Sequence, residues 1–358
     1  VGIIYFPERN SIMKKILMIS TGGTIASSAG DSGLAPAITS EGLLARVPRV
    51  SEICDVDALQ LMSLDSTNIG PEHWLKISSA IEENYGRYDG FVVTHGTDTL
   101  AYTAAALSYL IQDSPKPIVL TGAQKPIDLE DTDARQNLLA SFVYAADDLS
   151  RDVAIVFDGK VIMGTRARKE RTKSYNAFAS VDYPEIAVIR DGKLTRYIIP
   201  EALRKAEHGD FWAAHSDSAS GPRFYHRLSS KVLLITLIPG LTADVLDRLR
   251  EDYDAVICST FGSGGLPGGM EGEFARAVTS WLEAGKTIVM MTQVPYEGSD
   301  MSVYQVGREV KDRLPIIEAH NMTMEAAVTK LMWILGETKD PARIKEMFYT
   351  PVQHDIIM

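Results

Sequence analysis

Cysteine is nearly missing from this sequence: two residues, Cys54 and Cys258, in a chain of 358. They sit in the short apolar segments CDVDALQLM and AVICST. Two distant thiols make neither a disulfide framework nor a zinc site. The expectation is a pair of buried thiols in a reducing compartment. Long apolar runs are missing too, and none approaches the roughly 18 residues of a membrane span. The opening VGIIYFPERNSIMKK breaks off at Pro7, Glu8 and Arg9, short of the roughly 7–15 apolar residues of a secretory signal. Met13 is the expected natural start, with residues 1–12 an upstream extension. Positive charge is in deficit. Lys and Arg number 36 against 47 Asp and Glu, a net charge of −11, which repels phosphate backbones and argues against general nucleic-acid binding.

What is present fits a soluble globular protein: 45% hydrophobic and 23% charged residues. The length suggests two domains. Apolar runs that read as strands (Lys15–Ser20, Gly90–Thr94, Ile118–Thr121, Val153–Phe157) alternate with helical patterns (Thr39–Val47, the segment opening at Pro71, Asp98–Ile111, Asp133–Asp147). This alternation predicts an α/β fold with a mainly parallel sheet flanked by helices, whose ligands sit at the carboxyl ends of the strands. Residues 191–230 are polar and turn-rich. After them the alternation restarts with strands Val232–Ile238, Ala255–Thr260 and Thr287–Thr292 and a closing helix Met324–Leu335. The expected division is a larger N-terminal catalytic domain over 1–200, a connection over 201–229 and a smaller C-terminal α/β domain over 230–358.

Two polar loops leave predicted strands. In Ser20-Thr21-Gly22-Gly23-Thr24 the glycines let the backbone turn sharply and present Thr24 at the strand end. A simple turn or a phosphate cradle would use the same residues, although the loop has neither GxGxxG spacing nor a GK[ST] ending. Thr94-His95-Gly96-Thr97-Asp98-Thr99 enters a helix, where free N–H groups and the helix dipole favour negative charge. Thr97 or Asp98 could equally be an ordinary N-cap, and His95 reads as a packed, hydrogen-bonded histidine.

Together, TGGTIA (Thr21–Ala26) and THGTDT (Thr94–Thr99) resemble the two signature segments of the bacterial-type L-asparaginase family, and the resemblance runs from about Lys14 to Phe348. The missing signal sequence and the ending AAVTKLMWIL look like the cytoplasmic type I branch. The resemblance implies an amidohydrolase that converts L-asparagine to L-aspartate and ammonia, with weak glutaminase activity as a side reaction. Thr24 would be the nucleophile, acylated on its hydroxyl and then freed by water. Thr97, Asp98 and Lys169 would activate it, because a threonine hydroxyl needs a base. The resting base stays open, with Lys169 relaying a proton through Thr97 while Asp98 orients it as the alternative. Only the resemblance selects Lys169 from a run of Arg166, Arg168, Lys169, Arg171 and Lys173 that would otherwise read as a solvated face.

By the same resemblance, Asp65 and Ser66 would clamp the substrate's ammonium and carboxylate, although an Asx turn would use the same residues. The main chain at Ala123 would hold the carboxamide. Ile25–Ile38 would form a mobile lid. Leu34 stands where many relatives carry a catalytic tyrosine, and Tyr304 aligns with a tyrosine that other relatives supply from the C-terminal domain. No cofactor and no metal are implied. A homodimer or homotetramer is, with the site near a subunit interface, although Gly265 stands where the family often has asparagine. Arg168 replaces a small hydroxyl residue beside the lysine, so cooperativity is not carried over. One competing reading is the amidase subunit of a tRNA-dependent amidotransferase. Its extra N-terminal domain has no room ahead of Thr21, and the acidic balance disfavours tRNA. The other is a non-catalytic amino acid or nucleotide sensor on the same sheet.

Overall fold

The computed structural model describes residues 13–30, 33–36, 38–198 and 221–357. β1 (Lys15–Gly22) is buried over all but its first residue. β2 (Ser27–Gly30) and β3 (Gly33–Pro36) pair antiparallel. α1 (Ser40–Ala45) is capped by Thr39, whose hydroxyl accepts from the Gly42 amide at 3.2 Å. β4 (Asp55–Leu64) leads to α2 (Pro71–Asn84), which opens on a first-turn proline and buries Trp74, Ile77 and Ile81. Then follow β5 (Gly90–Thr94), α3 (Leu100–Leu110), β6 (Ile111–Gln112), β7 (Pro117–Thr121), α4 (Ala134–Ala145) and β8 (Asp152–Phe157). β9 (Lys160–Met163), β10 (Ala167–Lys169), β11 (Phe178–Ser180), β12 (Ala187–Arg190) and β13 (Lys193–Arg196) complete this part.

Eight of these strands form one sheet in the order β13-β12-β9-β8-β7-β5-β1-β4. The five from β8 to β4 run parallel, and the rest continue antiparallel at one edge. Helices cover both faces. Leu17 and Ile19 of β1 pack with Ile77 of α2 and Leu107 of α3. Ile16 and Met18, pointing the other way, pack with Leu43 of α1 and Leu138 and Phe142 of α4. The chain leaves β1 for β4 on one side, then returns to lay β5 on the other. The order reverses there, and such a switch point opens a crevice at the carboxyl ends of the two strands.

The smaller C-terminal part begins after β14 (Arg223–Phe224), which pairs with β6. Its elements are β15 (Val232–Thr236), α5 (Asp244–Leu249), β16 (Ala255–Thr260), α6 (Glu273–Glu283), β17 (Thr287–Thr292), α7 (Gln305–Arg313), β18 (Ile317–Glu318), α8 (Met324–Glu337) and α9 (Pro341–Tyr349). Its four strands form a parallel sheet. The two parts join through α3 and α8, where Tyr109 stacks on Trp333 at 5.9 Å. Beneath them Lys330 pairs with Asp355 at 2.7 Å, both fully buried, and the Tyr109 hydroxyl donates to the same carboxylate at 2.9 Å.

Some elements differ from expectation. The helix expected over Asp98–Ile111 spans Leu100–Leu110, with Thr99 at its N-cap: the Thr99 carbonyl accepts from the Thr103 amide (3.0 Å) while its hydroxyl turns to the Ser66 carbonyl (2.7 Å). The closing helix runs on to Glu337 and is followed by α9, which starts with an Asp340 cap and Pro341. Ile25–Ile38 contains the β2–β3 pair. Much of the connection expected over 201–229, and the extension over 1–12, lie outside the described residues. Among the described residues no helix is long and apolar enough to cross a membrane.

Candidate active site

Four loops leave the carboxyl ends of β1, β4, β5 and β7 at nearly one level, since Ser20, Thr94 and Thr121 are aligned across the sheet. β1 ends in Gly22 and is followed by Gly23, both with positive φ (106° and 81°), where only glycine is unstrained. The Gly23 amide donates to the Leu64 carbonyl at 3.0 Å, which ties this turn to the end of β4. Thr24 then opens a short 3-10 turn over Thr24–Ala26, and its side chain is half-buried. A Cβ on Gly23 would lie 2.4 Å from the Gly96 Cα, and one on Gly96 would lie 2.5 Å from the Ser66 Oγ. The loops carrying Thr24, Ser66 and Thr97 therefore touch through their glycines. The β7 loop joins them: the His95 amide donates to the Thr121 carbonyl (2.8 Å), and a Cβ on Gly122 would lie 2.3 Å from the His95 carbonyl oxygen.

Lys169 enters from β10. Its ammonium donates to Thr97 Oγ1 at 2.8 Å and to Asp98 Oδ1 at 2.6 Å. The lysine side chain is 16% exposed and the Asp98 side chain 59%, so the carboxylate reaches out of the crevice while the ammonium stays within it. The Thr97 hydroxyl, accepting from Lys169, gives its own proton to Gln124 Oε1 at 3.2 Å. The Gln124 amide nitrogen donates to the Ser174 carbonyl at 3.1 Å, which fixes which way the amide faces. Thr97, Asp98 and Lys169 are thus one hydrogen-bonded group beside the loop of Thr24. Ser66 and Ala123 are buried next to that group. Asp65 is exposed, and its Oδ1 accepts from the amide and hydroxyl of Thr67 in an Asx turn. Tyr304 is not gathered in. It stands at the N-terminus of α7, 64% exposed.

Several contributors carry no clear mark in the sequence. Gln124 is visible there only as the residue after Ala123 in another polar turn beyond a strand. The basic run is not one solvated face: Arg166 is fully buried, donating to the carbonyls of Asn321 (2.8 Å) and His354 (2.5 Å), while Arg171 and Lys173 are exposed. Tyr296, from the loop after β17, donates to Glu170, the neighbour of Lys169. These contacts come from the C-terminal part, and no local pattern announces them. A cavity of about 450 Å³ beside Arg49, Asp158 and Arg190 contains none of the residues above.

The N-terminal model of the asparaginase family matches residues 15–200, and the glutaminase/asparaginase C-terminal domain model matches residues 231–348. An L-asparaginase of Thermococcus kodakarensis is 36% identical over 344 residues, covering 96% of this chain and 99% of that protein. A glutamyl-tRNA(Gln) amidotransferase subunit of Pyrococcus furiosus is 32% identical over 356 residues, covering 96% of this chain and 77% of that one. The solved thermostable L-asparaginase from Thermococcus kodakarensis is similar in structure at a TM-score of 0.86 and 34% identity, covering 96% of this chain and 99% of that one. L-asparaginase I from Vibrio cholerae shares the fold at a TM-score of 0.79 and 24% identity, covering 97% of this chain and 100% of that one. Both domains of the family occur in order in this one chain, which belongs to the asparaginase family and is an amidohydrolase.

Proposed function

We propose that this amidohydrolase is an L-asparaginase that hydrolyses the side-chain amide of L-asparagine through an ester on Thr24. The observation that carries this reading is the meeting of the Thr24 loop with the Lys169–Thr97–Asp98 group across the switch point between β1 and β5. In this step Lys169 reacts as the neutral amine: Thr24 Oγ attacks the amide carbon while its proton passes by way of the Thr97 hydroxyl to Lys169 Nζ, and the lysine then gives that proton to the departing nitrogen, which leaves as ammonia. Water, deprotonated by the same relay, then releases aspartate. Ser66 and Asp65 take the α-carboxylate and α-ammonium, and the main chain at Ala123 holds the carboxamide. One backbone donor to the developing oxyanion is worth ~2.7–4 kcal/mol. The choice between asparagine and glutamine turns on one methylene, worth only ~1–3 kcal/mol in a pocket, so weak glutaminase activity accompanies the main reaction.

A second copy of the chain completes the site in this reading, as a homodimer or homotetramer. Phe261, Val303, Tyr304 and Val306 of the C-terminal part are all exposed in the single chain, and Tyr304 belongs there to the site of the neighbouring subunit. The two unpaired, buried cysteines suit a cytoplasmic protein. The test is ammonia release from free L-asparagine by the purified chain alone, with Thr24→Ala beside it. Turnover by the wild type and none by the variant supports the reading. Turnover that survives in Thr24→Ala removes the nucleophile. Release of ammonia only from a glutamyl-tRNA substrate in the presence of a partner subunit would favour the amidotransferase reading instead.

A further inference from the structure

Four groups stand in a row behind the site. Trp74 Nε1 donates to Thr103 Oγ1 at 2.9 Å. Thr103 Oγ1 is 2.9 Å from His95 Nε2, and His95 Nδ1 is 2.7 Å from the Gly96 carbonyl oxygen. All three side chains are buried. Chemistry fixes the direction of the row. A carbonyl oxygen only accepts and an indole N–H only donates. The ring therefore carries its proton on Nδ1, and Thr103, having accepted from Trp74, gives its own proton to Nε2. Burial keeps the ring neutral by pushing its pKa down to about 4.

The peptide between Gly96 and Thr97 is trans, so its C=O and N–H point in opposite directions. With the carbonyl turned onto the histidine ring, the Thr97 N–H is turned away from it. That N–H meets no partner among the described residues, although Thr97 is only 6% exposed. Glycine at 96 sets no side-chain limit on the peptide's orientation, and among the described residues the side chain that binds the Gly96 carbonyl is that of His95. We propose that His95 is a positioning residue, whose Nδ1–H holds this peptide so that the Thr97 N–H faces the oxyanion formed when Thr24 attacks the amide. This rests on the asparaginase reading above.

The experiment compares His95→Leu, His95→Gln and His95→Asn with the wild type in kcat, KM and melting temperature. Asparagine places an amide N–H where the ring has Nδ1, whereas glutamine reaches only toward Thr103. The expected result is a kcat loss of roughly tenfold to a hundredfold in the Leu and Gln variants with KM little changed, and recovery of most of kcat in the Asn variant despite its larger cavity. Wild-type kcat in the Leu and Gln variants would overturn the proposal. So would losses in all three that simply follow the fall in melting temperature. Should the wild type release no ammonia from asparagine, the functional reading fails on its own. Nitrogen-15 spectra of the His95 ring then decide the positioning claim, with an Nδ1–H tautomer supporting it and an Nε2–H tautomer overturning it.

Discussion

Gly23 rests against Gly96 so closely that neither can carry a side chain: a Cβ on Gly23 would lie 2.4 Å from the Gly96 backbone, and one on Gly96 would lie 2.7 Å from the Ser66 Cβ. The distance between Thr24 and Thr97 is thereby set by main chain, which yields far less than side chains do. Gly23→Ala adds both a clash and a strained positive φ, which costs ~1–3 kcal/mol. The variant is expected to lose roughly a hundredfold in kcat/KM, the effect of displacing a reacting group by about 1 Å. Steady-state ammonia release and urea unfolding check the two effects separately. A variant that is destabilised yet fully active would mean that the glycine contact does not set the catalytic geometry.

Lys169 serves two acceptors at once, Thr97 and Asp98. Lys169→Met keeps most of the side chain's bulk and removes both donors. Loss of a proton-relay group of this kind lowers kcat by roughly 10²–10⁴-fold. Single-turnover kinetics should show both acylation and release of aspartate slowed. A change confined to KM would assign Lys169 to binding rather than to the relay.

The His95 ring titrates near 4 in the folded chain against 6.5 when free, because burial penalises its charged form. The unfolded chain therefore binds this proton first as pH falls. The stabilisation is complete above about pH 6.5, declines through the window between the two values and is gone below about pH 4. It amounts to ~3 kcal/mol. Urea unfolding at about pH 7 and about pH 4 should show the wild type losing that much more stability than His95→Asn, since carboxylate losses are common to both. Equal losses would mean that the ring titrates normally in the fold.

Asp355→Asn leaves the Lys330 ammonium in a fully buried site without its counter-charge. Removing one partner of such a pair costs ~3–5 kcal/mol, read as a lowered urea midpoint at unchanged slope. The double variant Lys330→Met/Asp355→Leu should recover much of the loss. A double variant no more stable than the single one would mean that Tyr109, Thr350 and the Val352 amide, which also bond this pair, depend on the charges as well.

The sheet and the two hydroxyl-bearing loops were legible because each rests on a local signal. Gly90–Thr94 is an unbroken apolar run ending in a polar turn, and Gly22-Gly23 can hold φ values few other residues accept. The family resemblance selects Lys169 from its basic run, and the structure places it against Thr97 and Asp98. What local signals do not show is the crossing of β1 between β4 and β5, which is a property of the whole chain path. Arg166 reads as solvated in the sequence because its acceptors are backbone carbonyls far along the chain, and a carbonyl leaves no mark on composition. The bond from Tyr296 to Glu170 is hidden for the same reason, since it spans 126 residues.

The carboxylate that anchors the far end of α3 lies 246 residues beyond the tyrosine that reaches it. A ribosome therefore finishes every hydroxyl and ammonium of the crevice long before it supplies that anchor. Until Asp355 emerges, the Tyr109 hydroxyl has no carboxylate to reach, so this tie between the two parts of the molecule is among the last that synthesis can supply.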